Sequence, residues 1–293
     1  SRRQRQMCIR DRYRVHLSKK INSIIKLPWK NIWNAVFFRK FKKEEPIYFL
    51  LFSDWYCQNT GIIKYIRTNY KNAKIAVFFQ DLIATKKMNY TELPVNIDKL
   101  KAEVDLVLTF DFGDAKRYKI VYHPIPYSTP LDPVIIEDET IDVYFLGQAK
   151  NRLEEILATY YKLKSLGTKL NFILSNVPKE QQKQLDGVTY TDGVTVSYDD
   201  NIKYVKSSRC ILELMQKSGT GYTSRTLEAL SYDKRLMTNN AKILDAPFYN
   251  SEYILYFKDI SEINSDFLQK IRSTQKPNYS YACLLYTSDA ADD

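Results

Sequence analysis

The chain has 293 residues, a formal net charge of +10 and 44 % hydrophobic residues. This length suits two domains of ordinary size, and the apolar fraction excludes an intrinsically disordered chain. No apolar run approaches the ~20 residues that cross a bilayer, and Cys57 and Cys210 lie too far apart to indicate a disulfide framework or a metal site. We therefore expect a cytoplasmic protein.

The two ends of the chain, residues 1–12 and 283–293, resemble the translation of a sequencing-library adapter. A DNA stretch that encodes one end can be written so that its reverse complement encodes the other. Because a natural gene rarely ends in such an inverted repeat, we interpret both ends as adapter-derived and exclude them from the fold.

The segment Tyr13–Lys43 holds all the net charge of the remaining chain, since the residues after it contain equal numbers of basic and acidic side chains. It has no acidic residue, and its apolar residues recur at helical spacing on either side of Pro28. Two interpretations stay open: a helix that lies on an anionic membrane, or a helix that packs on a core with a solvated basic face. We expect no nucleic-acid partner, because such a protein would spread its charge more widely.

Apolar runs alternate with helical stretches through the first half of the chain. The patterns predict strands at Ile47–Phe52, Lys74–Phe79, Val104–Thr109 and Ile120–Tyr122, and helices at Gly61–Tyr70 and Val95–Ala102. Four prolines in Tyr122–Pro133 then exclude a helix or a central strand. We place a domain boundary near residues 128–140, which gives domains at 13–135 and 136–282.

The alternation restarts after the boundary. Strands are predicted at Ile141–Leu146, Leu170–Leu174, Cys210–Leu214, Arg235–Thr238 and Tyr253–Phe257, and helices at Asn151–Leu166, Asn201–Lys206, Thr223–Ser231 and around Phe267 and Ile271. Asp199 and Asp200 are expected to cap the helix at Asn201. Strands that alternate with helices indicate an α/β fold with largely parallel sheets.

A polar, glycine-containing loop, Lys217–Tyr222, joins the strand Cys210–Leu214 to the helix Thr223–Ser231. Helix N-termini bind anions, and glycines let a backbone approach a phosphate closely. Arg225 offers a fork suited to a diphosphate. The alternative is an ordinary tight turn before a helix, with Glu228 in a surface pair with Lys234 or Arg235.

Five stretches carry a family resemblance: FFQDL (Phe78–Leu82), DLVLTFDFGDAKRY (Asp105–Tyr118), DVYFLGQAKNR (Asp142–Arg152), SRCILELMQKSGTGYTSRTLEAL (Ser208–Leu230) and KRLMTNN (Lys234–Asn240). Together they resemble GT-B-type glycosyltransferases, in particular a group of bacterial lipopolysaccharide and capsule biosynthesis proteins. The resemblance implies two Rossmann-like domains that face a central cleft. It assigns the acceptor to the first domain and a nucleotide-sugar donor to the second.

The resemblance also implies roles for individual residues. Glu228 would hold the donor ribose, and Arg225 with the loop before it would face the diphosphate. The implied donor-binding set is Gly147, Arg152, Gly219, Thr220, Gly221, Thr223, Arg225, Thr226, Glu228 and Asn239. Glu213 is left out of this set because it sits in an apolar strand. Such enzymes in general need no bound metal, so no metal and no cofactor are expected.

An inverting enzyme needs a base that deprotonates the acceptor hydroxyl. Asp54, Asp81 and Asp111 each follow a predicted strand of the first domain, and Asp54 and Asp81 are the favoured candidates. Each of the three would serve equally well as a helix cap or loop residue.

The resulting hypothesis is a metal-independent glycosyltransferase that moves a sugar from a nucleotide-diphosphate donor to a lipid-linked or surface glycan acceptor. We expect it in the cytoplasm, with residues 13–43 holding it on the inner face of the membrane. Two alternatives remain: transfer of a non-sugar group on the same fold, or a non-catalytic protein that binds nucleic acid or a membrane surface through residues 13–43.

Overall fold

The computed structural model describes residues 46–59, 61–88, 93–127, 138–191, 196–216 and 219–279. Their contacts form two compact units. The first comprises the described residues up to Thr109 together with Tyr118–Val121, and the second comprises Phe110–Arg117 and the described residues from Tyr122 onward. The basic segment 13–43, the adapter-like ends and residues 128–137 of the predicted boundary lie outside the described residues.

A four-stranded sheet organises the first unit, with its strands in chain order and the described pairings parallel. Its strands are β1 (Ile47–Phe52), β2 (Ala73–Phe79), β3 (Leu106–Thr109) and β4 (Val121–Tyr122). The helices along this stretch are α1 (Ser53–Gln58), α2 (Ile62–Asn69), α3 (Ile97–Glu103) and α4 (Phe112–Tyr118), with a 3₁₀ turn at Ile83–Thr85.

The core of the first unit forms on one face of this sheet. Phe49 and Leu51 alternate with exposed residues along β1, and they pack against the apolar side of α2, which includes Ile62 and Ile66. Leu100 of α3 joins the same core. This alternation arises because successive side chains of a strand point to opposite faces.

A six-stranded sheet organises the second unit, in the order β10-β9-β8-β5-β6-β7, and all its pairings are parallel. The strands are β5 (Ile141–Gln148), β6 (Leu170–Ser175), β7 (Val188–Thr191), β8 (Ser208–Glu213), β9 (Arg235–Thr238) and β10 (Ile254–Tyr256). The helices are α5 (Leu153–Ser165), α6 (Tyr198–Ser207), α7 (Ser224–Ser231) and α8 (Ser265–Arg272), with 3₁₀ turns at Lys179–Gln181, Ala241–Asp245 and Ile260–Glu262.

Apolar cores cover both faces of this second sheet. Phe145 and Leu212 face a core that includes Ile156 of α5 and Ile271 of α8. The neighbouring strand residues face a second core that includes Val205 of α6 and Leu230 of α7. Parallel sheets are usually buried on both faces in this way, which explains the continuous apolar runs of β5 and β8 in the sequence.

These two parallel sheets confirm the predicted fold class, an α/β protein with two Rossmann-like sheets. The expectation for the start of α6 is wrong: Ser197 caps this helix by accepting a hydrogen bond from the Asp200 amide, and Asp199 and Asp200 lie in its first turn. Helices α1 and α4 and strand β7 were not predicted. No helix in the described ranges is long and apolar enough to span a membrane.

Candidate functional site

The strand order of the second unit reverses between β5 and β8. The chain runs from β5 outward to β7, returns to β8 beside β5, and then runs outward to β10 on the other side. In open parallel sheets, ligands bind where the order reverses, at the carboxyl ends of the strands. The carboxyl ends of β5, β8 and β9, the loops that follow them and helix α7 together carry the residues of the implied donor-binding set.

Arg152 links the loops after β5 and β8. Its guanidinium donates one hydrogen bond to the carbonyl of Leu214 and another, of 3.3 Å, to the carbonyl of Gln148. An added Cβ at Gly147 would lie 3.0 Å from Cζ of Phe145 and 3.4 Å from Nη2 of Arg152, so the tight contact there is with Phe145. Burial lowers the pKa of Arg152, and the negative charges of Glu155 and Glu213 partly offset that effect.

Arg225 and Glu228 form a salt bridge on α7, with 2.5 Å between Nη1 of Arg225 and Oε2 of Glu228. Asn201 of α6 donates to the other carboxylate oxygen at 2.8 Å and accepts a 2.9 Å hydrogen bond from the Tyr144 hydroxyl. Burial raises the pKa of Glu228, while Arg225 and Asn201 act in the opposite direction. A carboxylate has about four acceptor positions, so this network leaves Glu228 with capacity for further donors.

The predicted surface pair of Glu228 with Lys234 or Arg235 does not form. Glu228 is only 2 % exposed, and Lys234 instead pairs with Glu139 at 2.6 Å. Asn201 was not singled out from the sequence. The signal was present, because a buried Asn on the apolar side of a helix must find hydrogen-bond partners.

Glu213, which is not in the implied donor-binding set, anchors the start of α7. It is 1 % exposed, and its carboxylate accepts hydrogen bonds from the hydroxyls of Thr223 (2.5 Å), Thr226 (2.8 Å) and Thr238 (2.6 Å). Thr223 also caps α7 by accepting from the Arg225 amide. The hydroxyls of Thr223 and Thr226 therefore serve this internal carboxylate in the structure.

The amides of Gly219, Thr220 and Gly221 also have acceptors within the protein. Gly219 donates to the Gln216 carbonyl at 2.9 Å, and Thr220 and Gly221 donate to Oδ2 of Asp111 at 2.5 and 2.8 Å. An added Cβ at Gly221 would lie 2.3 Å from the Phe110 carbonyl oxygen, so glycine is required here for a close backbone contact. A phosphate would reach the Thr220 and Gly221 amides only in place of the Asp111 carboxylate.

Asn239 and Asn240 join the loop after β9 to the loops beside it. Asn239 accepts from the Met215 amide at 2.7 Å and donates to Glu155 at 2.8 Å. Asn240 donates to the Gly221 carbonyl at 3.1 Å. Together with Arg152, these amides connect the loops after β5, β8 and β9 into one framework.

Asp54 and Asp81 of the first unit meet at one lysine. Nζ of Lys86 lies 2.6 Å from Asp54 and 2.7 Å from Asp81. The carboxylates are 70 % and 50 % exposed, whereas the lysine side chain is 11 % exposed. Burial lowers the pKa of Lys86, but its hydrogen bonds to the two carboxylates outweigh burial and raise it above the ordinary value.

Metal ligands and cysteine thiols are the remaining candidate groups in the described residues. No group of three or more His, Cys, Asp or Glu side chains there is arranged to hold a metal ion. Cys57 and Cys210 are buried free thiols, and burial raises the pKa of Cys57 to about 11 and that of Cys210 to about 12.

Comparison with known proteins gives structural likenesses only. A scan against protein-family models and a search of curated proteins find no match. Among solved structures, the GtfA/B complex matches at 12 % identity and TM-score 0.40 over 82 % of this chain and 52 % of its own. An α-glucosyltransferase in complex with UDP and DNA matches at 9 % identity and TM-score 0.47, over 72 % of this chain and 65 % of its own.

A third likeness is to the catalytic domain of starch synthase IV from Arabidopsis thaliana, bound to ADP and acarbose. The identity is 10 % and the TM-score 0.45, over 82 % of this chain and 70 % of the other. The chain thus spans about half to two thirds of the length of the first two structures.

Proposed function

We propose that this chain is a glycosyltransferase that takes a sugar from a nucleotide-diphosphate donor. One observation supports the proposal: the residues implied as donor-binding by the sequence resemblance lie at or after the carboxyl ends of β5, β8 and β9, and the order of the second sheet reverses between β5 and β8. In folds of this class that point binds nucleotides.

The chemistry of the reaction places a demand on this site. When the sugar leaves, the nucleotide diphosphate gains negative charge, and positive groups fixed in advance lower that cost. Arg225 and the N-terminal end of α7 supply such charge without a metal. The Glu213 carboxylate and the Asn240 amide hold this helix and its loop in place, which limits reorganisation during the reaction.

The proposed acceptor is a lipid-linked or surface glycan of bacterial lipopolysaccharide or capsule synthesis. The support is the sequence resemblance together with the basic segment 13–43, whose charge would attract an anionic membrane surface. Asp54 and Asp81 remain the proposed acceptor bases, for an inverting reaction.

Binding of the nucleotide tests the donor site directly. The full chain is melted with UDP, GDP, CMP or dTDP, and the same series is repeated for Arg225→Ala and Glu228→Ala. A nucleotide at 100 times its dissociation constant stabilises a protein by about 2.7 kcal/mol, which is an easily measured shift. We expect one nucleotide to shift the wild type and neither variant.

Arg272→Ala is the matched control. Arg272 also pairs with a buried carboxylate of the second unit, that of Asp142, at 2.7 Å. Asp142 lies near the amino end of β5, whereas the proposed donor site lies at the carboxyl ends of the strands. This variant should keep the nucleotide shift. If no nucleotide stabilises the wild type, or if Arg272→Ala loses the shift as fully as Arg225→Ala, the proposed donor site is wrong.

A further inference from the structure

One face of the first sheet is apolar and exposed along the edge strand β1 and at β3, although Phe78 of β2 on the same face is buried. Tyr48, Leu50 and Phe52 of β1 are 82 %, 52 % and 42 % exposed, and Leu106 of β3 is 40 % exposed. The strand register aligns Leu50 with Ala76 and Ala76 with Leu106, so these residues share one side of the sheet. We call Tyr48, Leu50, Phe52 and Leu106 the open face.

The topology of the first unit explains why its own helices do not cover the open face. Strands β1, β2 and β3 are neighbours in the order of the chain and run parallel. Because such connections are almost always right-handed, helices between strands that advance in one direction all lie on the same face. Their apolar residues accordingly join the core around Phe49 and Leu51, which point away from the open face.

Because parallel sheets are normally buried on both faces, we expect another part of the protein to pack on the open face. We propose that this chain's own segment Tyr13–Lys43 covers the open face. The proposal concerns the packing of the first unit and is independent of sugar transfer.

Chain connection restricts where this segment can lie. Only three residues, 44–46, separate Lys43 from the first residue of β1. Three extended residues span at most ~10 Å, so the end of the segment must lie beside the start of this edge strand. One side of the sheet there holds the core around Phe49, which leaves the side that begins with Tyr48.

Dimensions and chemistry of the segment match the open face. A helical stretch of 15 residues before Pro28 would be ~22 Å long, and the six residues of β1 span ~20 Å. Its apolar residues fall on one helical side in each half: Leu17, Ile21, Ile24 and Ile25, then Ile32, Trp33, Val36 and Phe37. Packing these residues on the sheet leaves the basic residues in solvent, where they still attract an anionic surface.

Hydrogen exchange on the full chain tests the proposal. Amides in peptides that cover residues 17–37 should exchange at least about tenfold more slowly than in an unfolded chain, because docking protects them. Leu50→Glu, which places a charge in the middle of the open face, should abolish that protection. Leu50→Met, which keeps the face apolar, should preserve it.

Thr68→Glu is the control for added charge, because Thr68 is an exposed residue of α2 on the other side of the sheet. It should leave the exchange of residues 17–37 unchanged. The amides of Ile62–Ile66 report on the core behind β1, and they should stay protected in every variant, which separates undocking from unfolding.

Three results would overturn the proposal. The first would be that residues 17–37 of the full chain exchange as fast as an unfolded chain, or that Leu50→Glu leaves their protection unchanged. The second would be protection that appears only when vesicles containing anionic lipid are added, because this would assign the segment to a membrane surface. The third would be that light scattering gives twice the mass of one chain, and that this doubled mass and the protection both disappear on dilution. This would assign the open face to a second copy of the chain.

Discussion

Glu213 illustrates at the residue scale what a buried carboxylate requires of its neighbours. The three threonine hydroxyls that it accepts from belong to the cap of α7, to α7 itself and to β9, so this one side chain of β8 holds the helix start against β8 and β9. Glu213→Ala leaves these hydroxyls without their acceptor and should cost about 3 kcal/mol or more of unfolding free energy in urea denaturation. Thr238→Val, which removes a single donor, should cost about 1 kcal/mol; equal losses would contradict this role.

Asp54 and Asp81 give a second prediction at this scale. If either is the acceptor base, its replacement by Asn should lower kcat by about 100-fold or more while the nucleotide-induced thermal shift stays intact. Lys86→Met is the control variant, because it breaks the salt bridges of both Asp54 and Asp81 but keeps both carboxylates. Full activity in both Asn variants would exclude these residues as the base.

The roles of single residues were only partly predictable from the sequence. A cap at Thr223 or Ser224 was predictable, because a hydroxyl residue at the start of a helical pattern favours that role, and the structure has Thr223 there. The partners of Glu213 and Asp111 were not, because their hydrogen bonds join residues 10 to 110 positions apart, and a sequence pattern carries no such pairing. A charged residue in an apolar strand was the available signal, since buried charges need partners.

At the scale of elements, Asp105 joins three parts of the first unit. Its carboxylate accepts from the Ile75 amide of β2 at 2.9 Å, from Lys74 at 3.0 Å and from Arg67 of α2 at 2.8 Å. The Ile75 amide, followed by Lys74 and Arg67, holds the pKa of Asp105 well below its usual range. The carboxylate thus fixes the start of β3 to β2 and α2.

This low pKa sets the sign of a pH effect. The unfolded chain binds a proton at Asp105 near pH 3.9, whereas the folded chain does so only at lower pH, so the stabilisation is present above about pH 4 and is lost as pH falls further. Asp105→Asn should cost about 1 kcal/mol at pH 7, because the site is partly exposed. The difference from wild type should begin to shrink below about pH 4 and should continue to shrink as the pH falls further; a constant difference would contradict the linkage.

Gly221 tests the contact between the loop after β8 and the segment Phe110–Arg117. Because an added Cβ would overlap the Phe110 carbonyl, Gly221→Ala should cost about 3 kcal/mol. Gly61→Ala is the matched control, since a Cβ there meets nothing within 4 Å. Equal melting temperatures for the two variants would show that the contact is not required.

Element prediction succeeded where the period of the pattern was clear and failed where elements are short. The apolar runs of β1, β2 and β5 and the helical spacing of α5 identified these elements within two residues of their observed ends. The missed helices α1 and α4 have six and seven residues, and the missed β7 has four. Such stretches are too short to display a period, and contacts with the rest of the fold decide their conformation.

At the scale of the whole molecule, the chain passes between the two units before the proline-rich segment Tyr122–Pro133 begins. The contacts already assign Phe110–Arg117 to the second unit, because Asp111 and Gly113 bond to Thr220 and Gly221. A fragment that starts at Tyr122 should therefore melt at a lower temperature than one that starts at Phe110. Identical melting of the two fragments would show that the second unit does not need this segment.

The hydrogen bond between the Thr220 amide and Asp111 can form only after a delay during synthesis. The two residues are 109 positions apart, and ribosomes add roughly 5–20 residues per second. The nascent chain therefore carries the Asp111 carboxylate for roughly 5–20 s before its amide partners exist. Strands β1 to β3 can pair in that interval, whereas Phe110–Arg117 reaches its final contacts only after the loop that follows β8 has left the ribosome.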